Sequence, residues 1–285
     1  MIKIGAHAQI WVAPVAGDTL HVIEHVRDLA FDAIDINVVE LPPPFPVCEL
    51  RRRLAETGLQ GAVGTLLDEQ HDITSADIDR RRAGIEFLKG MVRLCDDVGA
   101  RTLIGPYHSQ VRRQRLDDER TRTERWGRCV EGLTTVAQEA QRLGVTLAIE
   151  PLNRYESDFL TTLADAVCLC EQVGIKCMGL LLDTYHMNIE EREIGGAIRA
   201  ARNHIAHIHM SENDRGAPGS GHIDWWDVRD AVVDVGYAGV CTIESYNPDI
   251  PALAQRASFW RRLAPTQDDL ARSGLAFLRQ LFGAP

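Results

Sequence analysis

VTLAIEPLNRYE, Val145 to Glu156, opens with a short apolar, partly β-branched run just after Gly144, the pattern of a buried strand. The run ends on a carboxylate, Glu150, and Pro151 follows at once, a residue that cannot continue a ladder. A charged side chain at the carboxyl end of a buried strand is costly unless something there uses it. Three later segments repeat the pattern: MGLLLD ends on Asp183, HIAHIH on His209 and VCTIE on Glu244. The four residues are separated by 33, 26 and 35 positions, close to one strand–helix unit each time. One strand-end acid is as readily a helix cap or a rim salt bridge, but four in register point to a shared site. Two Glu, one Asp and one His form an oxygen-rich set for Mn²⁺, Mg²⁺ or Co²⁺, where a closed structural zinc site would use Cys and His. The pattern reads as that of a metal-dependent enzyme.

Outward from this stretch the same alternation continues. Strands are expected at Lys3–Gln9, Ala33–Val38, Leu59–Leu66 and Arg101–Ile104, then at Val145–Ile149, Met178–Leu182, His204–His209 and Gly239–Ile243. Between them lie helical patterns, including a long one capped by Thr74 or Ser75 and another starting near Asp117. Later helices are expected at 163–173, 189–202, 225–235, 250–263 and 268–281. Gly58, Gly99, Gly144, Gly174 and Gly236 each sit after a helical pattern and just before a strand, where a left-handed cap turns the chain. Eight strand–helix units without a linker or composition shift predict a single-domain (β/α)₈ TIM barrel over residues 1–285, with a C-terminal helical extension. A doubly wound open sheet is the competing architecture, but no Gly-x-Gly-x-x-Gly follows the first strand. In a barrel, all four strand-end residues converge on one mouth.

The composition narrows the partners. With 31 basic against 41 acidic residues the net charge is −10, which argues against nucleic acid. No apolar run approaches the roughly 20 residues of a membrane span. MIKIGAHAQIWV lacks the basic start and apolar core of a signal peptide, and seven cysteines without a Cys-x-x-Cys pair read as reduced thiols in a cytoplasmic protein.

IEPLNRYE, LLDTYHMNIEE, HIHMSENDRGAPGSGHIDW and TIESY resemble the corresponding segments of the ketose 3-epimerases, the group of the D-tagatose, D-allulose (D-psicose) and L-ribulose 3-epimerases within the xylose isomerase-like barrels. The resemblance is strongest over residues 145–246 and weaker elsewhere. It implies a metal-dependent isomerase that inverts C3 of a free ketose through an enediolate. It places the metal ligands on Glu150, Asp183, His209 and Glu244, with Glu150 and Glu244 doubling as proton carriers on the two faces of C3. Substrate contacts fall on Glu156, His186 and Arg215, and a dimer or tetramer is implied. Arg215 lies in NDRGAPGSG, a glycine-rich loop expected to be a mobile segment over the site. His207, two residues before His209, shares the inward face of its strand and is expected to support the ligand layer.

Two positions depart from the family. The first-strand position where those enzymes often carry a hydrophobic residue against the far end of the sugar is His7, and the usual Phe two residues past the last ligand is Tyr246. Both make the pocket more polar. Residues 111–128 hold seven arginines and four acids, a solvated helix face or else a contact for an anionic substrate or a neighbouring subunit. Aldose–ketose or hydroxypyruvate-type isomerisation, oxo-sugar epimerisation and an inosose dehydratase-like lyase use the same carbanion and stay open. An endonuclease IV-like phosphodiesterase would need more histidine ligands and a basic face.

Overall fold

A computed structural model describes residues 2–283. Eight parallel strands close into a barrel in chain order: β1 (Lys3–His7), β2 (Ala33–Asn37), β3 (Gln60–Gly64), β4 (Thr102–Gly105), β5 (Thr146–Ile149), β6 (Met178–Asp183), β7 (Ile205–Met210) and β8 (Val240–Ile243). Closure is made by β8 against β1, with Lys3 opposite Val240 and Ala6 opposite Ile243. Around them run α1 (Val22–Asp28), α2 (Val47–Thr57), α3 (Ile78–Val98), α4 (Glu119–Leu143), α5 (Leu163–Val173), α6 (Thr184–Glu190), α7 (Ile194–Ala200), α8 (Trp225–Asp234), α9 (Pro251–Ala257) and α10 (Gln267–Phe282). The last helix packs on α8, β1 and β8.

The strand period of two decides what fills the barrel. Ala62, Ile104, Ala148 and Leu181 form a small apolar cluster separate from the main core. Two residues further along the same inward faces stand Glu150 after Ala148 and Asp183 after Leu181. On the other side of the ring, His209 follows His207 and Glu244 follows Thr242, all of them buried. The main core lies outside the barrel, where β-branched and leucine side chains meet the helices.

Local signals set most boundaries. The five glycines before strands all have positive φ, between 66° and 81°, as the sequence predicts. Asp118, Thr162 and Asp224 cap α4, α5 and α8 through their side-chain oxygens. Four boundaries differ from expectation. The long helix α3 is capped by Asp77 rather than Thr74 or Ser75, and its first residue, Ile78, is half exposed rather than on the apolar face. Lys3–Gln9 is strand only to His7, because Ala8–Ile10 turns into a 3₁₀ helix. The helix expected at 189–202 is two: Asp183 accepts the Tyr185 N–H and starts α6 directly at the strand end, and extended Glu191 separates it from α7. The helix expected at 250–263 stops at Ala257, where Ser258 turns left-handed.

The arginine-rich segment is mostly paired. Arg113 and Arg125 bind both Asp117 and Asp158, at 2.5–3.0 Å. Arg125 is buried, so this part is an internal ion-pair cluster rather than a solvated face. Arg120 and Arg128 share Glu124 on the surface of α4, the paired arrangement expected of a helix.

Candidate active site

Glu150, Asp183, His209 and Glu244 meet at the carboxyl-end mouth of the barrel, with one donor atom from each within 4.8 Å of all the others. His209 Nδ1 stands 3.4 Å from Glu244 Oε2, 3.8 Å from Asp183 Oδ2 and 4.0 Å from Glu150 Oε1. Asp183 serves both readings open to a strand-end acid. Its Oδ1 caps α6 by accepting the Tyr185 N–H at 2.7 Å, and its Oδ2 faces the cluster.

The far nitrogen of His209 explains the near one. Nε2 lies 3.1 Å from Asp35 Oδ2, which also takes His207 Nε2 at 2.8 Å. With Nε2 donating to Asp35, Nδ1 is left aimed at three carboxylates without a hydrogen-bond partner of its own. Burial opposes charge on His209, yet Glu244, Asp183 and Asp35 raise its pKa well above the ordinary imidazole value. The same excess of negative charge suits a divalent cation with oxygen ligands and one imidazole.

The two glutamates are driven apart. Burial, reinforced by the charge of Glu244, pushes the Glu150 carboxyl well above its usual range. Burial acts on Glu244 too, but Arg215 and His209 outweigh it and hold that carboxyl well below. Neighbouring carboxyls displaced in opposite senses are the electrostatic pattern of an acid paired with a base.

Arg215 brings the β7–α8 loop into the site. Its Nη1 donates to Asp183 Oδ2 at 2.5 Å and Glu244 Oε2 at 2.6 Å, and its guanidinium stacks 4.0 Å over the Tyr185 ring. The backbone there is left-handed, φ 67°, and its carbonyl accepts the Ser245 hydroxyl. The loop is fastened rather than loose: buried Glu212 accepts the Gly219 and Ile223 N–H groups and the Trp225 indole N–H. His186, in the first turn of α6, is buried 3.6 Å from Glu150 Oε1, and burial lowers its pKa. Its Nδ1 accepts the Asn153 N–H at 3.1 Å, while the Asn153 amide donates to Glu156 Oε1 at 3.0 Å. His7, Glu150, Glu156, His186, His209, Arg215 and Glu244 line a single cleft of roughly 670 Å³, counting its open mouth, and Asp183 joins them through the ligand cluster rather than on the lining. His7 stands on the wall beside the ligands, 3.9 Å from Glu244 Oε1 and 3.3 Å from Asn37 Oδ1, and Tyr246 donates its hydroxyl to Glu244 Oε1 at 3.1 Å.

Sequence reasoning missed Asp35, Asn153 and Glu212. The signal for Asp35 was present, since AIDIN places a charge in mid-strand between Ile34 and Ile36. Asp35 is fully buried, and its carboxyl sits below the ordinary range because His207 and His209 outweigh the cost of burial. Its contacts make it a positioning residue for His209, and Asp35→Asn should raise the dissociation constant for a divalent ion by about 10–100-fold. Titration of stripped protein measures this without reference to turnover. Unchanged affinity would reduce Asp35 to a packing role.

The profile of the xylose isomerase-like TIM barrel family matches residues 23–281. An L-ribulose 3-epimerase of Mesorhizobium japonicum is 34% identical over 281 residues, covering 98% of this chain and 93% of that protein. A solved structure of L-ribulose 3-epimerase superposes with a TM-score of 0.93 at 34% identity, covering 99% of this chain and 95% of the other. The D-allulose 3-epimerase of a Methylomonas species, solved in complex with D-allulose, superposes with a TM-score of 0.92 at 27% identity, over 98% and 96% of the two chains.

Proposed function

Because the chain belongs to the ketose 3-epimerases of the xylose isomerase-like TIM barrel family, we propose that it reversibly inverts C3 of a free ketose through an enediolate, as a metal-dependent isomerase. The observation that carries the reading is the convergence of Glu150 and Glu244, from strand ends three steps apart on the ring, with Asp183 and His209. These four residues would hold the ion. A divalent cation bound there supplies a Lewis acid for the negative charge that develops on the sugar oxygens as the C3 proton leaves.

The remaining chemistry belongs to the chain. One glutamate removes the proton from its face of C3 and the other returns one to the opposite face, the roles exchanging with the direction of reaction. Arg215 and His186 donate hydrogen bonds to the carbonyl-side oxygens, and Glu156 accepts from a hydroxyl. Tyr246 fixes Glu244 through Oε1, leaving Oε2 for the cluster.

Mn²⁺ is the preferred ion in this reading, with Mg²⁺ and Co²⁺ as substitutes; three carboxylates beside one imidazole support it. The reading also places the enzyme in the cytoplasm, supported by free thiols, of which Cys95, Cys129, Cys170 and Cys241 are buried. It makes the protein a homodimer or tetramer, and exposed Leu116, Tyr155 and Trp260 offer apolar surface for contact. Among the described residues no helix is long and apolar enough to cross a membrane.

The test is a panel of ketoses incubated in D₂O with Mn²⁺ and followed by NMR. C3 epimers carrying deuterium at C3 alone are expected. Label moving to C1 with an aldose product, or loss of water, would replace epimerisation with isomerisation or dehydration.

A further inference from the structure

Arg215 has work in the reaction proposed above, but two other arginines that line the cleft do not. Arg112, exposed in the β4–α4 loop, and Arg256, half-buried on α9, both line the same cleft as Glu150 and Glu244. Among the described residues neither guanidinium has a carboxylate within ion-pair distance. Arg215 of the same cleft is held by Asp183 and Glu244, Arg113 and Arg125 by Asp117 and Asp158, and Arg154 by Glu190; Arg115 and Arg122 also lack an ion pair among the described residues but lie outside this cleft. Arg112 is also one of the few non-glycine residues with a left-handed backbone, φ 60°, anchored by its N–H to the Glu156 carbonyl at 2.7 Å. A strained position held beside a cleft is where structure is commonly committed to a ligand.

The cleft is divided by charge. Its floor concentrates Glu150, Asp183 and Glu244. An anionic group would be repelled there by the carboxylates, or would compete with the sugar oxygens for a bound cation. Arg112 and Arg256 come from segments beyond the strand ends, and a guanidinium fork matches phosphate or carboxylate oxygens far better than it matches a hydroxyl. His7, Gln9 and Asn37 add polar groups to a lining that also carries apolar Leu66, Val111 and Leu152. Building on the epimerase reading, we propose that Arg112 and Arg256 form an anion subsite, so that the enzyme also takes ketoses bearing a phosphate or carboxylate at the end remote from C3 and prefers them to the neutral sugar.

The experiment compares a neutral ketohexose, its 6-phosphate and its 6-carboxylate on the Mn²⁺-loaded enzyme. At least one anionic form should exceed the neutral sugar about tenfold in kcat/KM. The anionic-to-neutral ratio should fall by about that factor in R112Q and R256Q, and should shrink as salt is raised. Calorimetric titration with the same three sugars separates this inference from the reaction it builds on. Tighter anionic binding that is lost in the two variants supports the subsite even where C3 is not inverted. Equal binding of neutral and anionic sugars, or a ratio untouched by both substitutions, overturns it. The phosphate and carboxylate arms identify which anion is recognised.

Discussion

Glu150→Gln and Glu244→Gln should each lower overall C3 epimerisation by several orders of magnitude, more than the roughly 10²–10⁴-fold typical of one acid/base group. The amide keeps an oxygen that ligates metal weakly but cannot carry a proton, so both functions of the residue suffer together. The informative result lies in what survives. Exchange at C3 without inversion needs one working face, and β5 and β8 present their glutamates from positions three strands apart. Each metal-saturated variant should therefore wash deuterium into C3 of one epimer while forming none of the other, and the favoured epimer should swap between the two variants. The opposite displacement of the two carboxyls, Glu150 upward and Glu244 downward, already marks them as unequal in their surroundings. Exchange of the same epimer in both variants, or inversion at near wild-type rate in either, would require a single base and an intermediate that turns.

What was legible in the sequence was whatever depends on short-range periodicity. Strand-end charges at Glu150, Asp183, His209 and Glu244 stand out against apolar runs, and a closed barrel turns that one-dimensional register into one point in space. Gly58, Gly99, Gly144, Gly174 and Gly236 mark helix ends because L side chains rarely adopt their φ. Features that depend on contacts between distant strands were not legible. Asp35 reads as a lone charge until β2 is seen facing β7 across the barrel interior, where its carboxylate meets His207 and His209. The α6–α7 break is invisible to hydrophobic period, because Asp183 starts a helix earlier than the apolar pattern does. The arginine-rich run illustrates the same limit. Composition cannot say which members pair with Asp117 and Asp158 and which, like Arg112, face the cleft.

Chelation of divalent ions should abolish turnover, and Mn²⁺, Co²⁺ or Mg²⁺ should restore it. The argument is electrostatic. Glu150, Asp183 and Glu244 are all buried around His209, with Asp35 behind it, and Arg215 is the guanidinium that reaches two of them. Excess buried carboxylate charge is costly in a low-dielectric interior, so an ion that binds only the folded chain both enables chemistry and stabilises the fold. At an ion concentration of about 100 times Kd the gain is about 2.7 kcal/mol, which for a chain of 285 residues corresponds to a rise in Tm of roughly 4–5 °C. Arg215→Ala and His186→Ala should keep near-normal metal content yet lose much of their kcat/KM: Arg215 touches Asp183 and Glu244 as a cation beside the carboxylates, so its loss removes a sugar contact and no ligand atom. Loss of bound metal in either variant would move that residue among the ligands, and full activity of the stripped protein would remove the ion from the reaction altogether.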